Sequence, residues 1–385
     1  MSMIRYDFGS GRSNPETFPL NELQEAAVRA LAQEARALND YPGKLGYAPL
    51  RAAMARRESE REGVEVNPDH LVLTNGSMQA VTLTAEALQN APGDPIIIEE
   101  YSYPGTLSAY RSLRFDMTAI PLDADGMRLD ILTSTLEQMT RSGRKPRFIY
   151  TITTYQNPTG ITMPRERRVQ LIELARRFDI PVIEDNCYGD VHYDGPVPPA
   201  LYALDPDPRH IYLSSLSKIL APGLRLGYLI ARPPMLERIL ARRHDAGSNT
   251  LAAAIVAEFY RDGIWAHTKF GNEALRIKRD LTLEHLHSTL DDLCVWSRPA
   301  GGLFVWVRMP EDVDRSRLLA LAAERGVAYL PGSVFHHAGR DVPYLRLAFG
   351  HLRKDEILEG IPLLARCIRE SRTSNEPRAF NDLFD

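Results

Sequence analysis

From about residue 70 onward the chain alternates short apolar runs with stretches of helical period. The runs are "HLVLTNG", "PIIIEE", "MTAIPL", "RFIYTIT", "IPVIEDN", "IYLSSLS" and "GYLIA". Each is apolar on successive positions rather than on alternate ones, as in strands buried on both faces. Helical patterns stand between them, so the predicted architecture is α/β, a mostly parallel seven-stranded sheet with helices on both faces. The texture changes after a helix predicted near 271–290. "GGLFVWVRM", "GVAYLPG" and "YLRLAFG" then read as strands of a smaller α+β unit, closed by the helix "KDEILEGIPLLARCIRE".

Ahead of the alternating region lie an irregular arm, "FGSGRSNPETFPL", and a helix, "NELQEAAVRALAQEARAL". The pattern therefore divides into an arm and helix at 1–45, a large unit at 46–275, a small C-terminal unit at 276–372 and a tail at 373–385. The tail is expected to be mobile. A chain of 385 residues exceeds one typical core, in keeping with two units.

Composition narrows the function classes by exclusion. Charged residues make up 25% and apolar ones 44%, ordinary for a globular protein in water. A formal charge of −4 offers no electrostatic case for nucleic acid or an anionic membrane. No apolar run is long enough to span a bilayer, and "MSMIRYDFGSGRSNPE" has no apolar core of a leader. Cys187, Cys294 and Cys367 lie far apart without CxxC spacing, so neither a disulfide framework nor a zinc site is indicated. A reducing cytoplasm is the expected location, and no metal is expected.

Chemistry gathers where the apolar runs end, the rim at which open α/β sheets bind ligands. "TNGSMQA" ends one run and opens a helix, so the amides of Ser77 and Met78 can face an anion. "QNPTG" follows another run, Asp185 ends "IPVIED", and Lys218 follows "IYLSSLS". A lysine in such surroundings must be solvated, paired, neutralised or covalently used. If the anion is a cofactor phosphate, Ser77, Met78, Ser215, Ser217 and Arg225 would hold it, Arg225 through its planar fork of donors. Lys218 could then form a Schiff base with a cofactor aldehyde. Asp185 would keep a pyridine nitrogen protonated, Asn157 and Tyr188 would address the phenolic oxygen, and Tyr103 would stack on the ring. Pyridoxal 5′-phosphate (PLP) accounts for all of these parts together.

Taken singly, the same residues have ordinary readings. A lysine near a strand end is usually solvated, Asp185 could cap a turn, and Ser215 and Ser217 could satisfy local backbone. "QNPTG" could be only a turn, and Arg346 could point to water from a strand. Their order and spacing decide between the readings.

"SLSKILAPGLRLGY" resembles the S-x-S-K-x-x-x-P-G-x-R-x-G signature of the class I/II, fold-type I PLP-dependent aminotransferases. "NGSMQA", "QNPTG", "EDNCY", "GGLFVW" and "YLRLAF" resemble further blocks of that family, in the family's order. "FGSGRSNPETFP" and "GKLGYAPLRAAMA" look closest to the branch of 2-aminoadipate and kynurenine aminotransferases, near which the MocR-type regulators also lie. The resemblance runs from about Phe8 to about Arg369. It implies that Lys218 is the aldimine lysine and Asp185 the partner of the pyridine nitrogen. Asn157 and Tyr188 would serve the phenolic oxygen, Tyr103 the ring face, and Ser77, Met78, Ser215, Ser217 and Arg225 the phosphate. It further implies that Tyr47 reaches the phosphate in a neighbouring subunit, that Arg346 grips the substrate carboxylate, and that the arm passes over the substrate at Gly11. Two positions depart from the family pattern: Met78 where glutamine is common, and Tyr101 where proline is frequent.

The expected function is transfer of an amino group from an L-amino acid to a 2-oxo acid, 2-oxoglutarate or pyruvate, by a homodimer with shared active sites. A PLP enzyme with another outcome (decarboxylase, lyase, cyclase or oxidase) is the alternative. The effector domain of a MocR-type regulator is a third reading, disfavoured because the chain starts at the arm without a winged helix. Arg12, Ser13 and the aromatics of "VFHHAGR" could line the side-chain pocket, which spacing does not resolve.

Overall fold

In a computed structural model, residues 4–34, 36–261 and 263–374 are described. Among them, seven strands form the main sheet, in the order Leu71–Thr74, Gly227–Ile230, His210–Ser215, Val182–Asp185, Ile149–Thr151, Pro95–Glu99 and Asp116–Ile120. Every apolar run named above supplies one strand. Gly227–Ile230 alone runs against its two neighbours; the remaining pairings are parallel. The runs are apolar throughout because both faces are covered: all four residues of Leu71–Thr74 and all six of His210–Ser215 are buried.

The helices that cover the sheet begin and end on local signals. Gly63, at φ +69, terminates Ala48–Glu62, and the Asn249 side chain caps Thr250–Phe259 by accepting from the Ala252 N–H at 3.0 Å. Ala266–Leu290 is one continuous helix, so the boundary expected at 275/276 falls inside it. Beyond it an antiparallel sheet forms in the order Val295–Trp296, Phe304–Arg308, Tyr344–Ala348 and Leu330–Pro331. The closing helix, Lys354–Glu370, buries Ile357, Ile361, Leu364 and Ile368 on one face against this sheet's core.

The arm is less irregular than its sequence implies. Tyr6–Asp7 adds a short parallel strand beside Val327–Ala328, and the Phe8 ring enters the core of the small sheet. Farther on, Asn14 Oδ1 and Glu16 accept from the buried Lys278 ammonium of the long helix at 2.8 and 2.7 Å. The chain between these anchors, Gly9 to Arg12, is thereby stretched along the carboxyl rim of the main sheet. At the other end, Thr373 and Ser374 bond to Asp312, so the first two positions of the tail expected at 373–385 are held. The rest of that tail, 375–385, lies outside the described residues. Among the described residues no helix is long and apolar enough to cross a membrane.

Candidate active site

Four strand ends of the main sheet deliver the site. Asp185 closes Val182–Asp185, Ser215 closes His210–Ser215, Ser77 opens the helix after Leu71–Thr74, and Asn157 follows the strand Ile149–Thr151. Between them opens a cleft of about 170 Å³. Its walls carry nine of the residues singled out by sequence: Ser77, Met78, Tyr103, Asp185, Tyr188, Ser215, Ser217, Lys218 and Arg225.

One end of the cleft is an array of donors. The N–H groups of Ser77 and Met78 lie in the first helical turn, where the backbone has no helical acceptor for them. Gly76 makes this turn at φ +80, and a Cβ there would stand 2.4 Å from the Arg225 guanidinium. The close approach therefore requires glycine at this position. Arg225 itself takes a left-handed conformation, φ +52, where β-carbon sterics are unfavourable. Gly227 has a related constraint, since a Cβ would meet Ser77 N at 2.6 Å. Met78 lines the cleft and also packs against the sheet's apolar core. Loss of a glutamine side chain thus leaves the amide array intact.

At the opposite end sits Asp185. Its Oδ2 accepts the Tyr150 hydroxyl at 2.7 Å and its Oδ1 the Cys187 N–H at 3.3 Å. Burial pushes the carboxyl above its ordinary value, and the bonds from Cys187 and Tyr150 act against that rise. Lys218 lies between the two ends, half-buried, with Nζ donating to the Gly11 carbonyl at 2.7 Å. Burial is the largest influence on its amine and lowers the pKa; Cys187 opposes this, and Arg346 and Arg225 reinforce it. Tyr103 stands on the cleft wall and is 37% exposed, an aromatic face open to a ligand.

Asn157 and Arg346 lie directly behind this wall. Asn157 Nδ2 donates to the Tyr188 hydroxyl at 3.2 Å, and its Oδ1 accepts from Arg346 at 2.9 Å. The second Arg346 nitrogen donates to the Gly9 carbonyl at 2.7 Å. Its guanidinium lies 4.2 Å from the Phe304 ring centre and 4.8 Å from that of Phe335. Burial pulls its pKa down to about 10, and Nε is buried without a partner. A buried guanidinium with an unpaired N–H carries an uncompensated desolvation cost, which an anion could offset. Gly11 borders it: a Cβ there would come within 3.1 Å of Phe304 and 3.8 Å of Arg346.

Two of the expected residues stand apart from these. Tyr47 is buried at the start of the helix Ala48–Glu62, outside the cleft lining of its own chain. Tyr101 is buried against Trp306, Tyr344 and His336 and bridges to His336, tying the segment before Tyr103 to the small sheet. The sequence reading missed Tyr150, Cys187, Phe304 and Gly9, whereas Phe335 is one of the "VFHHAGR" aromatics it placed near the pocket. A hydroxyl-bearing residue inside the apolar run "RFIYTIT" was the available signal for Tyr150; Gly9 and Gly11 share the pattern "GSG".

These parts suit PLP. Donors for a phosphate lie at one end, a carboxylate for a ring nitrogen at the other, an amine between them and an aromatic wall alongside. The fold and cleft define a fold-type I PLP-dependent enzyme. A profile of class I and II aminotransferases matches residues 6–361. The aromatic-amino-acid aminotransferase 1 of Thermococcus litoralis is 37% identical over 94% of this chain and 87% of its own length. The 2-aminoadipate transaminase of Thermus thermophilus is 31% identical over 94% and 89%. A kynurenine aminotransferase of Pyrococcus horikoshii, solved with PMP and kynurenine, superposes with a TM-score of 0.90 at 32% identity, covering 96% of this chain and 92% of that one. The chain belongs to the class I and II aminotransferases; it is a PLP-dependent aminotransferase.

Proposed function

We propose that the cleft transfers the amino group of an aromatic or dicarboxylic L-amino acid to a 2-oxo acid, 2-oxoglutarate or pyruvate. The names of the relatives support this substrate range. Lys218 carries the cofactor, Asp185 meets its ring nitrogen, and Asn157 and Tyr188 meet its phenolic oxygen. Tyr103 covers the ring face, while Ser77, Met78, Ser215, Ser217 and Arg225 hold the phosphate. When bound, PLP supplies an electron sink for the pair released from Cα–H. Lys218 Nζ, its proton affinity lowered by burial, takes the Cα proton as general base.

The observation that carries the reading is the state of Arg346. Asn157 Oδ1 and Gly9 O hold two of its nitrogens, Phe304 and Phe335 bracket it, and Nε is left over. A guanidinium fixed in this way clamps the substrate carboxylate in one plane and leaves Cα–H, not the carboxylate bond, facing Lys218. Gly11 sits where the arm covers the substrate.

A homodimer with shared sites is part of the proposal. Val28 and Leu31 stand exposed on the helix Leu20–Glu34, and exposed Phe270 lines a groove beside it. Apolar surface of this kind is commonly covered by a partner. Tyr47 would then reach the phosphate in the second subunit. We also propose residues 46–275 as the cofactor unit and 276–372 as the smaller unit, supported by their separate sheets. Three unpaired cysteines support a reducing, cytoplasmic setting.

The test is a panel of amino donors and 2-oxo acids, with Lys218→Ala alongside. Wild type releases a 2-oxo acid from one donor class and leaves the cofactor aminated; Lys218→Ala loses the lysine-linked cofactor absorbance and turnover. Release of carbon dioxide without an aminated cofactor, or full turnover by Lys218→Ala, overturns the reading.

A further inference from the structure

Behind Asp185 runs a chain of buried hydroxyls. Tyr150, fully buried in the strand Ile149–Thr151, donates its phenol proton to Asp185 Oδ2 at 2.7 Å. Because that proton is committed, the Thr106 hydroxyl, 3.2 Å from the Tyr150 oxygen, must be the donor on the other side. Thr106 is also fully buried and lies on the helix Pro104–Ser112, which starts immediately after Tyr103. The Tyr150 ring is held edge-on by Tyr110, which in turn packs on Phe115 and Phe148. The phenol therefore has a fixed position, and burial pushes its pKa well above the ordinary value, so it remains a donor.

We infer that Tyr150, backed by Thr106, is the positioning residue that orients the Asp185 carboxylate toward the cofactor's ring nitrogen and limits its proton affinity. The inference rests on the proposed pairing of Asp185 with that nitrogen. With Oδ2 tied to Tyr150, the plane of the carboxylate is fixed relative to the cleft. A donor on Oδ2 also draws charge from the carboxylate, so the proton shared between Asp185 and the ring nitrogen lies nearer the nitrogen. A protonated ring is the stronger electron sink, so the hydroxyl acts on the rate of Cα–H cleavage without touching substrate. The chain also couples both sides of the cofactor, since Thr106 and Tyr103 lie one helical turn apart.

The experiment uses the holoenzyme reconstituted with PLP labelled with nitrogen-15 in the ring. Four variants are compared with wild type: Tyr150→Phe, Thr106→Val, Tyr110→Phe and Asp185→Asn. The readouts are the nitrogen-15 shift, kcat and KM for the amino donor, and the melting temperature. In Tyr150→Phe the shift moves toward that of an unprotonated ring, and kcat falls by about tenfold with KM nearly unchanged. Thr106→Val moves the shift in the same direction by less. Tyr110→Phe removes a buried hydroxyl that has no partner and leaves the shift unchanged. A Tyr150→Phe holoenzyme with wild-type shift and kcat, while Asp185→Asn is altered, overturns the inference and spares the Asp185 pairing. Equal displacement in Tyr110→Phe and Tyr150→Phe assigns the effect to packing and also overturns it. If Asp185→Asn itself leaves the shift unchanged, the pairing fails first and the inference with it. Should Tyr150→Phe not fold, Thr106→Val decides: a displaced shift supports the inference and an unmoved one overturns it.

Discussion

Arg346→Lys tests the carboxylate clamp most directly. The native guanidinium reaches Asn157 Oδ1 at 2.9 Å and Gly9 O at 2.7 Å, and still has Nε and further N–H groups for a carboxylate. A lysine ammonium has three donors on a single nitrogen and no planar fork. If it satisfies the two buried acceptors, at most one donor remains for the substrate, so a two-point grip becomes one-point. Losing one charge-assisted bond costs roughly 1.5–3 kcal/mol, about a ten- to hundredfold loss in kcat/KM. The cation–π contact of the guanidinium with the Phe304 and Phe335 rings is also altered, which places the expected result toward the upper part of that range. The assay is a single-turnover half-reaction with the best amino donor, following cofactor absorbance and released 2-oxo acid, together with steady-state kcat and KM. Because the fork orients Cα–H as well as binding, kcat falls along with the rise in KM. An Arg346→Lys enzyme with wild-type kcat/KM would refute the clamp. A loss confined to KM would refute its orienting role.

Three further outcomes are expected. Gly76→Ala places a methyl 2.4 Å from the Arg225 guanidinium at a φ of +80, so PLP affinity falls. Displacing Arg225 so that one charge-assisted bond to the phosphate is lost costs roughly 1.5–3 kcal/mol, at least about tenfold in a cofactor titration, and wild-type affinity would count against the phosphate site. Glu99, buried beneath Gln156, has its carboxyl raised to about 7 by burial, against hydrogen bonds from Gln156, Thr151 and Ile152. Between the ordinary value of 4.5 and that raised value, the folded protein holds more protons than the unfolded chain. Stability therefore falls as pH rises through this window, by about 3 kcal/mol from this one group. Urea unfolding at several pH values checks this: Glu99→Gln flattens the slope, and an unchanged slope contradicts the assignment. Tyr47→Phe raises the PLP dissociation constant about fivefold, the worth of one neutral hydrogen bond. Light scattering on the same samples shows a dimer; a fully active monomer would remove the shared-site proposal.

The main sheet was legible in the sequence because most of its strands are buried on both faces and appear as apolar runs, the edge strand Asp116–Ile120 being the most exposed. The lysine block was legible for a similar local reason. Ser215, Ser217, Lys218 and Arg225 occupy one strand end and the turn after it, so their spacing along the chain already fixes their neighbourhood. The arm was not legible. Tyr6 and Asp7 are only two residues, too few to show a period, and they become a strand only because Val327 and Ala328 offer a free edge. The long helix was seen from 271 although it begins at Ala266, since helix ends depend on context more than on period.

What the sequence determined by itself was therefore the set of chemical parts and the layered α/β scaffold that carries them. Tertiary structure decided how distant parts are joined. Arg346 meets Gly9 across 337 positions of chain, and Lys218 meets Gly11 across 207. Tyr150 finds Asp185 on the neighbouring strand, and Thr106 finds Tyr150 from a helix. No local period encodes such meetings. They follow from the register of paired strands and from anchors such as Lys278 on Asn14 and Glu16, which stretch the arm over the rim. Residue types and spacing specify which donors and acceptors are available; packing of segments remote in sequence specifies which of them share a bond and which, like Arg346 Nε, are left without a partner.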